Sequence, residues 1–203
     1  MSRVWALVLA LWLVPSTLLA DGFPALYSVT GVPSDDVLNV RAFPDADASL
    51  LGYLEPGATG VEVVGLSETG RWGQVNMVER AGWVSMHYMK RDAGPDWFSG
   101  AAPLSCLGTE PFWSFDAALP GAGVTFSTPD GQFALQTRPD ALPGTAFPRT
   151  LALPLRGGAE GIAVVRAQSC FDNMSDRAYG LSVLLYFTDT AAGYSGCCRL
   201  HGG

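Results

Sequence analysis

The sequence predicts an all-β protein of two units: a small N-terminal barrel, then a disulfide-bonded antiparallel β-barrel or sandwich domain. Three observations predict it. Short runs of alternating apolar and polar residues recur after residue 25, separated by clusters of Gly, Pro and Asp. Beyond the N-terminal segment no stretch keeps a helical period for more than a turn. All four cysteines, Cys106, Cys170, Cys197 and Cys198, lie in the second half of the chain.

The N-terminal segment comes first. Arg3 precedes an apolar run from Val4 to Val14, Pro15 breaks it, and Ala20 offers a small residue for cleavage, the order of a signal peptide over residues 1–20. The run is about eleven residues, whereas a membrane-spanning helix needs roughly twenty. The expectation is a periplasmic or secreted chain, cleaved near Ala20, with no transmembrane anchor afterwards. The first cysteine is Cys106, so no lipid can be attached through an N-terminal one. Without Arg3 the chain carries 11 Lys and Arg against 19 Asp and Glu, a formal charge of −8. That excludes nucleic acid as an expected partner, because phosphate binding relies on basic clusters. The acids are scattered singly and give no metal signal. An even cysteine count behind an export signal favours disulfides over zinc or a redox pair. There is no C-x-x-C, and His87 and His201 are the only histidines, so neither metal nor cofactor is expected.

Between residues 25 and 90 the β-like runs are Leu26 to Val29, Val37 to Arg41, Leu50 to Leu54, Val61 to Gly65, Trp72 to Asn76 and Gly82 to Met89. Turns fall at Gly31-Val32-Pro33, Pro44-Asp45, Pro56-Gly57 and Thr69-Gly70. In Leu38-Asn39-Val40-Arg41 and Val61-Glu62-Val63 one face is apolar and the other polar. Several of these residues together resemble a known family, the bacterial SH3 domains. The resemblance rests on Leu38-Asn39-Val40-Arg41 with Phe43-Pro44-Asp45, Gly52-Tyr53-Leu54, Pro56-Gly57, Gly70-Arg71-Trp72-Gly73-Gln74-Val75, and Gly82-Trp83-Val84-Ser85 with Tyr88. It implies an SH3-like small barrel of five to seven strands, often concerned with cell-wall or peptide binding. Asn39, Tyr53, Arg71, Trp72 and Tyr88 are then candidates to line a groove for an extended peptide or sugar, gripping it by stacking and hydrogen bonds. Trp83 is assigned to the core.

Residues 91–102, rich in Gly, Ala and Pro, read as a linker in which Trp97-Phe98 is expected to pack between the units. From 103 to 200 β-type runs resume at Trp113 to Asp116, Val124 to Ser127, Phe133 to Gln136, Ile162 to Val165 and Leu181 to Phe187. Pro120-Gly121, Pro129-Asp130-Gly131 and Pro143-Gly144 separate them. Asp130-Gly131 between alternating runs signals a hairpin, and one helical turn is possible near Met174 to Arg177. This half resembles a group of exported bacterial β-domains of uncharacterised role, through Gly108-Thr109-Glu110-Pro111-Phe112-Trp113-Ser114, Met174-Ser175-Asp176-Arg177-Ala178-Tyr179 and Gly196-Cys197. The resemblance implies a Cys170–Cys197 bridge, which leaves Cys106 with Cys198; it implies no activity. In a strand, alternation sends the side chains of Cys197 and Cys198 to opposite faces.

Catalysis is poorly supplied. Gly193-Tyr194-Ser195-Gly196 lacks the spacing of a nucleophile elbow, and the only histidine of the second unit is terminal. Glu110 beside Phe112-Trp113 is a candidate desolvated carboxylate, against a plain turn with a buried Trp113. Asp172, Asn173, Ser175 and Asp176 read as turn-capping side chains rather than a calcium loop. Arg177 is placed to pair with Glu110 or Asp176. The functional expectation is a non-enzymatic envelope protein whose SH3-like unit binds peptidoglycan or a wall-associated protein and presents the second unit. The alternatives are a wall-processing enzyme using Glu110 and Asp176, or a barrel carrying a small apolar molecule.

Overall fold

A computed structural model describes residues 22–117, 123–137 and 149–201. The expected signal peptide and the turns expected at Pro120-Gly121 and Pro143-Gly144 lie outside the described residues.

The first unit contains β1 (Ala25–Val29), β2 (Leu38–Arg41), β3 (Leu50–Leu54), β4 (Val61–Val63), β5 (Gly65–Leu66), β6 (Trp72–Met77), β7 (Arg80–Ser85) and β8 (Met89–Arg91). They form two antiparallel sheets, ordered β4-β1-β8 and β3-β2-β7-β6-β5. The chain changes sheet four times, and two of these passages, β4 to β5 and β7 to β8, are tight corners. One is Val64, whose N–H donates to the Gln74 carbonyl at 2.8 Å; the other is the 3-10 turn Met86–Tyr88. Val29, Leu38, Val40, Val63, Val75, Val84 and Met89 fill the space between, each on the inward phase of its strand. Trp83 is a correction to the sequence reading. Gly82 and Val84 take the inward positions of β7, so Trp83 faces out, half-buried, opposite Arg41 on β2 and Gln74 on β6.

The second unit is a closed barrel rather than a sandwich. Its strands are β9 (Leu104–Thr109), β10 (Phe112–Ala117), β11 (Gly123–Thr128), β12 (Gly131–Thr137), β13 (Thr150–Gly157), β14 (Gly161–Cys170), β15 (Tyr179–Phe187) and β16 (Ala192–Leu200). Each pairs antiparallel with the next, and β16 pairs back on β9, so no edge remains. Alternation fills the interior with side chains such as Leu151, Leu153 and Leu155 of β13 and Leu181, Val183, Leu185 and Phe187 of β15. Trp97, in the 3-10 turn Trp97–Ser99 of the predicted linker, belongs to this core at 1% exposure, with Phe98 packed against it. Leu26 of the first unit reaches the same core.

Trp113, Phe126, Phe187 and Tyr194 form an aromatic cluster in the barrel, with centroids 5.0 to 6.1 Å apart. Two strand glycines make room for it. A Cβ on Gly108 would lie 2.1 Å from the Trp113 indole nitrogen, and one on Gly196 would lie 1.9 Å from the Leu107 carbonyl oxygen. The bridges are those the resemblance implies, Cys106–Cys198 and Cys170–Cys197. Cys106 and Cys198 are direct partners across the β9–β16 seam that closes the barrel. Alternation turns Cys197 the other way, onto Cys170 of β14, so three strands are linked covalently through one dipeptide. Among the described residues no helix is long and apolar enough to cross a membrane.

Candidate functional site

Two surfaces carry the residues that the sequence singled out. The first is the outer face of the five-stranded sheet. Asn39 and Tyr53 are direct cross-strand partners, Trp72 and Ser85 likewise, and the Arg41–Trp83 pairing joins the two hairpins. Since Val40, Val75 and Val84 point inward, these partners point outward together. Tyr53 is 55% exposed, and Leu50, opposite Arg41, is 58% exposed. Arg71 sits at the turn before β6, where its carbonyl accepts the Met86 N–H at 2.9 Å. Tyr88 does not join this face: it packs against the core of the first unit, edge-on to His87.

The second surface is the junction between the units. The segment between β14 and β15 is not helical. It is an Asx-type turn in which Asp172 accepts the N–H groups of Met174 (3.0 Å) and Ser175 (2.9 Å), the Ser175 hydroxyl (2.7 Å) and the Tyr179 hydroxyl (3.1 Å). Partial burial works against the Asp172 charge, but these donors outweigh it and hold the carboxyl below the usual range. Burial, reinforced by the Asp172 charge, pushes the Tyr179 phenol up. The same segment joins the β6–β7 hairpin. Asp176 donates its N–H to the Glu79 carbonyl (2.9 Å) and accepts the Ala81 N–H (2.8 Å), while the Asn76 side chain binds both backbone groups of Ala178 (2.8 and 2.9 Å). Replacing Asn76 by Ala is expected to cost about 1–3 kcal/mol by orphaning those groups. Hydrogen exchange should show it as lost protection at Ala178, with β13 to β15 unchanged.

Arg177 is placed otherwise than the sequence suggested. Its Nε donates to the Val78 carbonyl, and its guanidinium lies 3.7 Å from Glu79 of the first unit, in place of Glu110 or Asp176. Glu110 is exposed at the β9–β10 turn, and Asp176 is exposed too. The two sequence motifs of the barrel unit do converge, through the Thr109 hydroxyl donating to the Asp172 carbonyl at 3.0 Å. Together with the hairpin tip they line an open depression of about 480 Å³ between Glu79, Phe112, Trp113, Asp172, Arg177 and Tyr179.

Sequence reasoning missed Glu62, Asn76 and Glu79. The alternation in Val61-Glu62-Val63 assigns Glu62 to a polar outer face, but the end of the barrel covers that face, and Glu62 accepts the Leu200 N–H at 2.8 Å. Burial raises its pKa to about 7, against the lowering effects of that N–H and of Arg199.

The class of protein defined here is a two-unit β protein, a small two-sheet barrel clamped to a disulfide-closed eight-stranded barrel. Comparison with protein-family models, curated proteins and solved structures returned no match.

Proposed function

We propose that this chain is an exported cell-envelope protein of non-enzymatic type. Its SH3-like unit docks on peptidoglycan or a wall-associated protein and presents the closed barrel. The observation that carries the reading is the outward row on the five-stranded sheet, where Tyr53, Asn39, Trp83 and Trp72 set aromatic faces beside hydrogen-bonding groups. Rigid aromatic rings supply contact area at small entropic cost, and Asn39 and Arg41 supply direction. Two disulfides suit an oxidising compartment, in keeping with the export signal read at residues 1–20. The mature protein is expected to co-sediment with isolated sacculi. The double variant Tyr53→Ala/Trp83→Ala, with both side chains outside the core, should weaken this about tenfold or more. Protein that stays in the supernatant at low and moderate salt sinks the proposal.

A further inference from the structure

The junction pocket is not used by the reading above, and its composition is unusual. Large apolar side chains, ordinarily buried, stand exposed in its lining: Phe112 is 56% exposed and Met174 67%, while Val78, beside the lining residue Glu79 on the hairpin tip, is 77% exposed. Val78 also holds a φ of 49°, a left-handed conformation that costs a β-branched residue about 1–2 kcal/mol. The β14–β15 segment holds it there, through Arg177 on the Val78 carbonyl and Asp176 on the Glu79 carbonyl and the Ala81 N–H that follow it. Strain maintained by surrounding contacts is a pointer to function.

The charged side chains of the pocket are Glu79, Asp172 and Arg177, and each acid already has partners. Four donors surround Asp172, and the Arg177 guanidinium faces Glu79. Neither carboxylate is left bare for a cation, and the one guanidinium is already set against an acid, so an anion gains little here. A ligand with hydroxyl groups, each both donor and acceptor, finds the Glu79 carboxylate, the Arg177 guanidinium and the hydroxyls of Ser114, Ser127 and Thr128 in one depression. Its volume of about 480 Å³ falls within the roughly 300–1,000 Å³ of small-molecule sites.

We propose that this pocket is a saccharide site, in which a neutral pyranose ring lays its apolar C–H face on Phe112 and turns its hydroxyls to Glu79, Arg177 and Ser114. The site is separate from the outer sheet face and does not depend on wall docking. A chain that ignores sacculi can still bind a free oligosaccharide.

The test is a nitrogen–proton correlation titration of the full mature chain with tetrasaccharides of β-1,4-linked N-acetylglucosamine, β-1,4-linked glucose and α-1,4-linked glucose. The expected result is saturable shifts at the amides of Thr109, Phe112 to Ser114 and Asp172 to Tyr179 with at least one sugar, at a Kd of about 1 mM or tighter. Phe112→Ala should weaken that binding about tenfold or more, while Leu184→Ala, on the barrel wall outside this pocket, leaves it unchanged. No saturable shift at these amides with any of the sugars, or undiminished binding by Phe112→Ala, overturns the proposal. Acetate or ethylammonium binding there more tightly than every sugar overturns it as well.

Discussion

Replacing Cys106 and Cys198 together by Ala is expected to remove about 4–5 kcal/mol of stability, more than the same change at Cys170 and Cys197, expected to remove about 3–4 kcal/mol. The chain-entropy argument ranks them by the loop each bridge closes, a sequence separation of 92 against 27. Topology points the same way. In a meander every pairing but one joins neighbours in sequence, and the exception is the β9–β16 seam, where Cys106 faces Cys198. Without that bridge the unfolded chain must bring its most distant strands together at full entropic cost. The Cys170–Cys197 bridge spans β14 to β16, strands already linked through β15. Urea midpoints of the two double variants under non-reducing conditions check the ranking. An equal loss from both pairs would show that closure of the seam is not what the first bridge secures.

The ease with which parts of this fold can be read follows how local their determinants are. The strands of the first unit stand out because alternating Val and Leu are cut by Gly and Pro; in the barrel the hairpin expected from Asp130-Gly131 joins β11 to β12, with its turn one residue earlier, at Pro129-Asp130. Three strands of the barrel escape such reading, each for a tertiary reason. In β13, Pro154 interrupts the apolar run, yet among the described residues its partner is Ile162 of β14, and β12 meets β13 at Leu155, Arg156 and Gly157. Strands β9 and β16 carry Gly108 and Gly196, which weaken the strand signal but are needed beneath the Trp113 ring. At the junction, the motifs around Thr109 and Asp172 are visible as motifs. Their partners Asn76 and Glu79 are not, because they sit on a hairpin about a hundred residues earlier, with nothing local to mark them.

Glu62 shows the same limit with a thermodynamic consequence. Alternation informs only about a strand's own sheet, and Glu62 is polar on the outer phase of β4; the end of β16 then covers it. Its folded pKa of about 7 lies above the carboxyl value of 4.5, so the folded state binds the extra proton. The stability this provides is fully present below about pH 4.5 and is lost as pH rises through about 7, where the carboxylate must ionise against its burial. A shift of this size corresponds to roughly 3 kcal/mol. Arg199 beside it, with Arg177 and His201 lining the same small cavity of about 360 Å³, offsets part of that cost. Glu62→Gln keeps an acceptor for the Leu200 N–H and cannot ionise. Relative to wild type, the variant should therefore gain about 2–3 kcal/mol on going from about pH 4 to about pH 8, read as the difference in urea unfolding free energy at each pH. Glu62→Ala should be the less stable of the two variants at every pH, because it leaves the Leu200 N–H without its acceptor. A wild-type and Glu62→Gln difference that stays constant with pH would mean that the carboxyl ionises freely in the folded protein, and that the cover provided by β16 is not closed to water.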